Sequence, residues 1–330
     1  MNISKKKIAR TSGALLATSA LAGATACLTT KFLVKTALNR ESPKIMEKAG
    51  NLISGSLVDE EILRQQKEAA DRLAAVETES VEIKGYDGVK LAGHWYPCEA
   101  PQRIIIAMHG WRSSWCNDFG LVSDFLHENH CGVLFAEQRG QNNSGGDYMG
   151  FGVTERYDCL EWARWATENI SSDLPIYLCG VSMGATTVLM AAGLNLPKNV
   201  HGIMADCSFT SPDEIWRHIA NNNLHLAYHL RRAVARSIYE RKNEACKFDC
   251  STLDALRTSH TPVMLIHGTE DHFVPVEMTY QNYIACTAPK RLLIVPGADH
   301  GMSYLIDREG YEACAKSFWK EFDVKSPCNT

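Results

Sequence analysis

The stretch IYLCGVSMGATTVLM, Ile176 to Met190, decides the fold. Its first half, with Pro175 in front, is apolar without alternation, so Pro175–Cys179 reads as a strand covered on both faces. Its second half opens a helix over Ala185–Leu194. Between them stands Gly180-Val181-Ser182-Met183-Gly184, the pattern G-x-S-x-G. A serine at a sharp strand-to-helix turn is held in a strained backbone, with its Oγ projecting above the sheet. Small residues must flank it, because strand and helix approach too closely there for side chains. The helix N-terminus adds partial positive charge, which favours a developing anion. The pattern alone is common; its placement between strand and helix makes it specific.

Working outward, the same alternation extends in both directions. Val81–Ile83 and Val89–Trp95 read as a β-hairpin across the Asp87-Gly88 turn. Ile104–Met108, Gly132–Ala136, His201–Ala205, Pro262–His267 and Arg291–Val295 are short apolar runs. Helical stretches separate them at Phe119–Asn129 and Glu155–Asn169, and Gly310–Phe322 closes the series. Continuous apolar strands alternating with helices predict an α/β protein with a mostly parallel central sheet flanked by helices. Between Cys207 and about Leu256 no strand appears, only helical pattern over Pro212–Leu230 and Ala233–Lys247. The expected layout is therefore a core over 81–206 and 258–330, with a helical cap inserted at 207–257. A helical connecting segment precedes it at 41–80.

Four more strings carry chemistry: MHGW at Met108–Trp111, AEQRGQNNSGGDYMGFG at Ala136–Gly152, HGTEDHFVP at His267–Pro275 and PGADHGMSY at Pro296–Tyr304. Each follows a predicted strand. With Gly180–Gly184 they make the chain from Val81 to Phe322 resemble a serine α/β-hydrolase, in that family's order of nucleophile, acid and base. The resemblance implies Ser182 as nucleophile, Asp271 as acid and His300 as base. Glu270 is the adjacent rival to Asp271, and the spacing to Val274-Pro275 favours Asp271. The resemblance also implies an oxyanion hole made by the backbone N–H groups of Trp111 and Met183. His109 would order the loop, and Trp111 and Trp216 would contact substrate. Many relatives carry aspartate where Glu137 stands. The likeness is greatest to a bacterial subgroup of uncharacterised hydrolases with an N-terminal anchor, which supplies no substrate. The reaction it implies is cleavage of a small-molecule carboxylic ester through an acyl-enzyme, needing no metal and no organic cofactor. A peptidase, thioesterase or acyltransferase would share the triad, and a silent binding protein on this scaffold is the reading from another class. Dehalogenase chemistry is disfavoured, since that branch of the fold uses an aspartate nucleophile.

Composition and the remaining motifs narrow the field. Of 330 residues, 45% are hydrophobic and 22% charged, which excludes a disordered chain. A net charge of −4 removes any whole-protein attraction to nucleic acid. The 12 cysteines include no C-x-x-C pair and read as free thiols; Cys246 and Cys250 lack a second pair for zinc. His225 and His229 would share a helical face, but Leu226 stands where a metalloprotease needs glutamate. Arg231, Arg232, Arg236, Arg241 and Lys242 read as a solvated helical face, with an anionic substrate or lipid headgroup as the alternative. At the N-terminus a basic head (Lys5, Lys6, Lys7, Arg10) precedes an uncharged stretch from Thr11 to Thr30. That pattern leads us to expect residues 1–40 to anchor the protein to a membrane. Secretion after cleavage near Ala24-Thr25-Ala26 and a soluble cytoplasmic helix are the alternatives.

Overall fold

The computed structural model describes residues 23–41, 60–243 and 247–323. Helix α1 spans 23–38 and α2 spans Glu60–Ala74. The hairpin follows, β1 at Glu79–Lys84 and β2 at Lys90–Tyr96. Gly88 in its turn has φ +84°, a region that favours glycine. The core then runs β3 (Arg103–Met108), α3 (Trp115–Phe119), α4 (Ser123–Glu128), β4 (Cys131–Ala136), α5 (Glu155–Asn169), β5 (Ile176–Val181), α6 (Met183–Ala191) and β6 (Val200–Asp206). After the inserted segment, which carries α7 (Pro212–His218) and α8 (Arg232–Lys242), come α9 (Thr252–Thr258), β7 (Val263–Gly268), α10 (Val276–Ala285), β8 (Lys290–Val295), α11 (Ser303–Ile306) and α12 (Arg308–Phe322).

The eight strands form one sheet in the order β1-β2-β4-β3-β5-β6-β7-β8. The hairpin strands run antiparallel, and everything from β4 to β8 is parallel. This is the α/β-hydrolase fold that the resemblance implied, built on the mostly parallel sheet that the alternation of strands and helices predicted. Residues of β3, β4 and β7 are buried on both sides, which is why those strands are unbroken apolar runs. One face packs Ile104, Ile106 and Leu178 against α5 and α6 through Trp162, Val188 and Leu189. The other packs Ile105, Phe135 and Tyr177 against α4 and α12 through Phe125, Phe318 and Trp319.

Several elements depart from expectation, each for a local reason. The helix predicted at Phe119–Asn129 is two helices, α3 and α4, parted at Gly120. A Cβ on Gly120 would lie 2.7 Å from the backbone of Ala69, so α2 and this turn meet backbone to backbone. The helix predicted at Pro212–Leu230 stops at His218, passes through a wide turn at Ile219–Asn223, and resumes only as a 3-10 turn at Tyr228–Leu230. Three successive asparagines compete with the helical backbone there. Asn221 Oδ1 accepts from Tyr228 N at 3.0 Å, and Asn222 pairs with His218 at 2.9 Å. His225 has φ +52°, so it and His229 share no helical face. Helix α9, whose residues 252–257 were expected in the cap, instead packs on α6 through Leu256 and belongs to the sheet layer.

The structure describes part of the expected targeting segment, from residue 23 onward. Helix α1 is docked on the protein, with Val34 and Leu38 buried. Asn39 makes an isolated antiparallel bridge to Tyr148. No helix among the described residues is long and apolar enough to cross a membrane. Residues 1–22, with the basic head, and residues 42–59 of the connecting segment lie outside the described residues.

Candidate active site

Ser182 sits between β5 and α6 with φ +55° and ψ −115°. A non-glycine residue pays for that conformation in strain, and two backbone bonds hold it. Its N–H donates to Asp206 O at 2.9 Å, and its carbonyl accepts from Thr186 N at 3.0 Å. The flanking glycines are required by contact: a Cβ on Gly184 would lie 1.8 Å from Met108 O, and one on Gly180 2.3 Å from Gly184 itself. Met183 is the first residue of α6, so its N–H has no partner within the helix.

The loop after β8 brings His300 to this serine, and the loop after β7 brings Asp271 to His300. Nε2 of His300 lies 2.9 Å from Ser182 Oγ, and Nδ1 lies 2.7 Å from Asp271 Oδ2. A carboxylate can only accept, so Nδ1 carries the proton and Nε2 is left to take the serine's. The Asp271 carboxylate is fully buried and well supplied with donors. Its Oδ1 accepts from Phe273 N at 2.9 Å and Val274 N at 2.7 Å, and Oδ2 lies 3.1 Å from His267 Nε2. Burial alone would push this carboxyl up, but the charge of His300 and the bonds from His267 and His300 outweigh it and hold it well below the usual range. At His300 burial pulls down, and the Asp271 carboxylate more than reverses it, so the imidazole sits well above its ordinary value. Glu270 is exposed.

The MHGW loop passes beside the same serine. A Cβ on Gly110 would lie 3.4 Å from Ser182 Cβ. Gly110 N donates to Asp118 Oδ2 at 2.5 Å, and Ser113 Oγ donates to Asp118 Oδ1 at 2.6 Å. His109 is fully buried and burial lowers its pKa. Its Nε2 accepts from Gln138 N at 3.1 Å while Nδ1 donates to Gly110 O at 2.8 Å. Neutral His109 therefore orders the loop and does not reach Ser182, as the sequence reading expected. Glu137, the departure from aspartate, accepts from Asn143 N at 2.5 Å and pairs with His94 at 2.8 Å, tying its own loop to β2. Arg139 binds Asp158 through two bonds of 2.5 and 2.6 Å and reaches Asp87 at 2.8 Å.

Sequence reasoning missed four supporting residues: His267, Cys207, Asp118 and Gln138. His267 and Gln138 stood in recognised strings without a role assigned to them; Cys207 and Asp118 act through contacts that spacing does not encode. Cys207 is buried with φ +50°. One donor atom each from Cys207, Asp271 and His300 lies within 4.8 Å of the others, the one grouping among the described residues that could hold a metal ion. Burial pushes the Cys207 thiol up to about 11, so it stays protonated and is no rival nucleophile.

Trp111 and Trp216 both line an apolar cavity of about 110 Å³ next to this site. Trp216 also serves the cap's own core, 5.4 Å edge-on from Phe151 and 5.1 Å from Phe248 between ring centres. The basic stretch is largely paired: Arg232 with Asp213 at 2.6 Å, Arg236 with Glu240 at 2.8 Å, and Lys242 with Asn39 Oδ1 at 3.0 Å. The ten described cysteines are unpaired.

The family model described as the prolyl oligopeptidase family matches residues 117–321. The chain is 28% identical over 247 residues to the uncharacterized protein YqkD of Bacillus subtilis, covering 72% of this chain and 75% of that one. It is 25% identical over 239 residues to the uncharacterized protein YfhR of Escherichia coli K12, covering 70% and 76%. Among solved structures, the Pyrococcus furiosus esterase Pf2001 superposes with a TM-score of 0.62 at 24% identity, over 77% of this chain and 95% of that one. The acylaminoacyl peptidase of Pyrococcus horikoshii gives 0.53 at 15% identity, over 77% and 43%. At these identities the structural likeness speaks for the fold.

Proposed function

The chain belongs to the prolyl oligopeptidase family of serine α/β-hydrolases, and from that premise we propose that it cleaves carboxylic esters through an acyl-enzyme on Ser182. The observation that carries this is the unbroken line from Ser182 Oγ through His300 to the buried Asp271 carboxylate. Serine hydroxyl is a poor nucleophile until a base takes its proton. His300 Nε2 takes it as Oγ bonds to the ester carbonyl carbon. The proton then passes to the alkoxide, which leaves as alcohol. Water attacks the acyl-enzyme with His300 again as base, releasing the acid and restoring Ser182. Asp271 holds the imidazole tautomer and stabilises the imidazolium. The N–H groups of Trp111 and Met183 are the donors we assign to the oxyanion, each contributing about 3–4 kcal/mol.

Peptide cleavage is the second reading, favoured by the family's peptidase members. The cavity lining argues for esters. Among the described residues no carboxylate lines it, and Arg231 is the single charged one that does. A peptide's terminal ammonium would find no partner there, whereas an acyl chain would. A fluorophosphonate probe should label Ser182 alone, and p-nitrophenyl butyrate should be turned over far faster than aminoacyl p-nitroanilides. Faster anilide cleavage would make the protein a peptidase; absence of labelling in folded protein would remove the hydrolase assignment.

We keep membrane attachment by the N-terminal segment as part of this proposal. The uncharged stretch ends at Thr30, where α1 first becomes buried. Full-length chain should then sediment with membranes and a chain lacking residues 1–22 should not; equal behaviour would dismiss the anchor.

A further inference from the structure

We infer that helix α1, which precedes the hydrolase core, is the specificity element of the site: its inner face walls an acyl pocket that takes extended, unbranched apolar chains. The inference rests on the ester-hydrolase reading for its chemistry, and on separate observations for its geometry. The cavity is bounded on one side by Thr30, Leu33, Val34 and Ala37 of α1, and on the other by Leu224 and Leu226 of the cap. Trp111, next to Gly110, and Phe273 also line it. The Phe273 ring lies 5.0 Å from the His300 ring, which puts this wall of the cavity beside the catalytic base. The residues at 30, 33, 34 and 37 fall on one helical face. On the opposite face Leu28 and Phe32 are exposed.

The docking of α1 is specific. A helix leaves its last carbonyls without partners. Here the loop beside Ser182 supplies them: Trp111 Nε1 donates to Ala37 O at 2.9 Å, and Arg112 donates to Thr36 O at 2.7 Å, Asn39 O at 2.6 Å and Arg40 O at 3.1 Å. A guanidinium at a helix C-terminus also meets the negative end of its dipole. Arg112 holds φ +53°, a strained conformation for an arginine that the clamp stabilises. Residues Trp111 and Arg112 thus join the wall of the pocket to the loop proposed to hold the oxyanion. Without α1 the cavity would open along one side.

The test uses the full chain carrying Ser182→Ala and titrates it with straight-chain carboxylates from butyrate to dodecanoate, read by tryptophan fluorescence and calorimetry. Affinity should rise about fourfold per methylene while the chain fits. Ala37→Trp, which fills the cavity, should weaken decanoate binding at least tenfold, while Leu28→Trp on the outer face should leave it unchanged. Val34→Ala, a milder change that enlarges the cavity, should move the preferred length upward and guards against a misfolded first variant. Equal decanoate affinity in Ala37→Trp and Leu28→Trp, or no chain-length dependence at all, would overturn the inference. Carboxylate binding needs no chemistry at residue 182. If the native chain escapes fluorophosphonate labelling while decanoate binding still depends on Ala37, the hydrolase reading falls and the pocket stands.

Discussion

At His300 desolvation of a partly buried imidazole and the charge of the buried Asp271 carboxylate pull in opposite directions, and the carboxylate prevails. The consequence is kinetic. The base must be unprotonated, so kcat/KM should rise with pH along a limb centred above the ordinary imidazole value. The groups facing His300 are Asp271, Cys207, Asp206 and Ser182; Asp206 is itself pushed up to about 6 by burial. Asp271→Asn removes the main raising charge, so its limb should move to lower pH as turnover falls about 10⁴-fold. Glu270→Gln, at an exposed side chain, should change turnover little; the reverse ranking would make Glu270 the acid. Ser182→Ala should cost about 10⁶-fold in kcat, measured with p-nitrophenyl butyrate. An ordinary limb in the native chain would mean that the carboxylate does not govern the base.

At the scale of elements, the elbow depends on β3, β5 and α6 touching where no side chain fits. Gly184→Ala would drive a methyl into Met108 O at the end of β3. Helix α6 would have to lift away from the sheet, taking Ser182 with it. We expect loss of fluorophosphonate labelling with a clearly lowered melting temperature, and normal labelling would show that the approach is looser than described. The cap makes the complementary point. Its sequence is apolar enough for one long helix, yet Asn221, Asn222 and Asn223 divide it. The interruption produces the loop carrying Leu224 and Leu226, which faces α1 across the cavity.

Across the whole molecule, three apolar clusters divide the labour. Two cover the faces of the sheet, and the third joins α1, the cap and the loops beside Ser182 through Val34, Phe151, Trp216 and Val274. One ion cluster ties distant parts of the frame: Arg139 joins the hairpin turn at Asp87, its own loop and α5 at Asp158. Arg139→Met would strand two carboxylates, Asp158 being almost wholly buried. Removing one partner of a buried pair costs about 3–5 kcal/mol. Urea unfolding should show a loss of that size at neutral pH, and a change below about 1 kcal/mol would mean that the cluster contributes little.

The strand alternation, the elbow at Gly180–Gly184 and the three strings around Asp271, His300 and Trp111 were legible in the amino-acid sequence. Each is a local matter: continuous apolar runs mark strands covered on both faces, and glycines flank a turn that tolerates no side chain. The bond from His300 to Ser182, the support from His267 and Cys207, and the placing of α1 became visible only in the folded chain. A basic head with an uncharged run reads as a targeting segment, and periodicity along one helix says nothing of what else lies against it. Whether Val34 and Ala37 face lipid, water or an acyl cavity depends on where Trp111, Arg112 and the cap are brought by folding. Those contacts join residues tens to hundreds of positions apart, and their partners are chosen by packing.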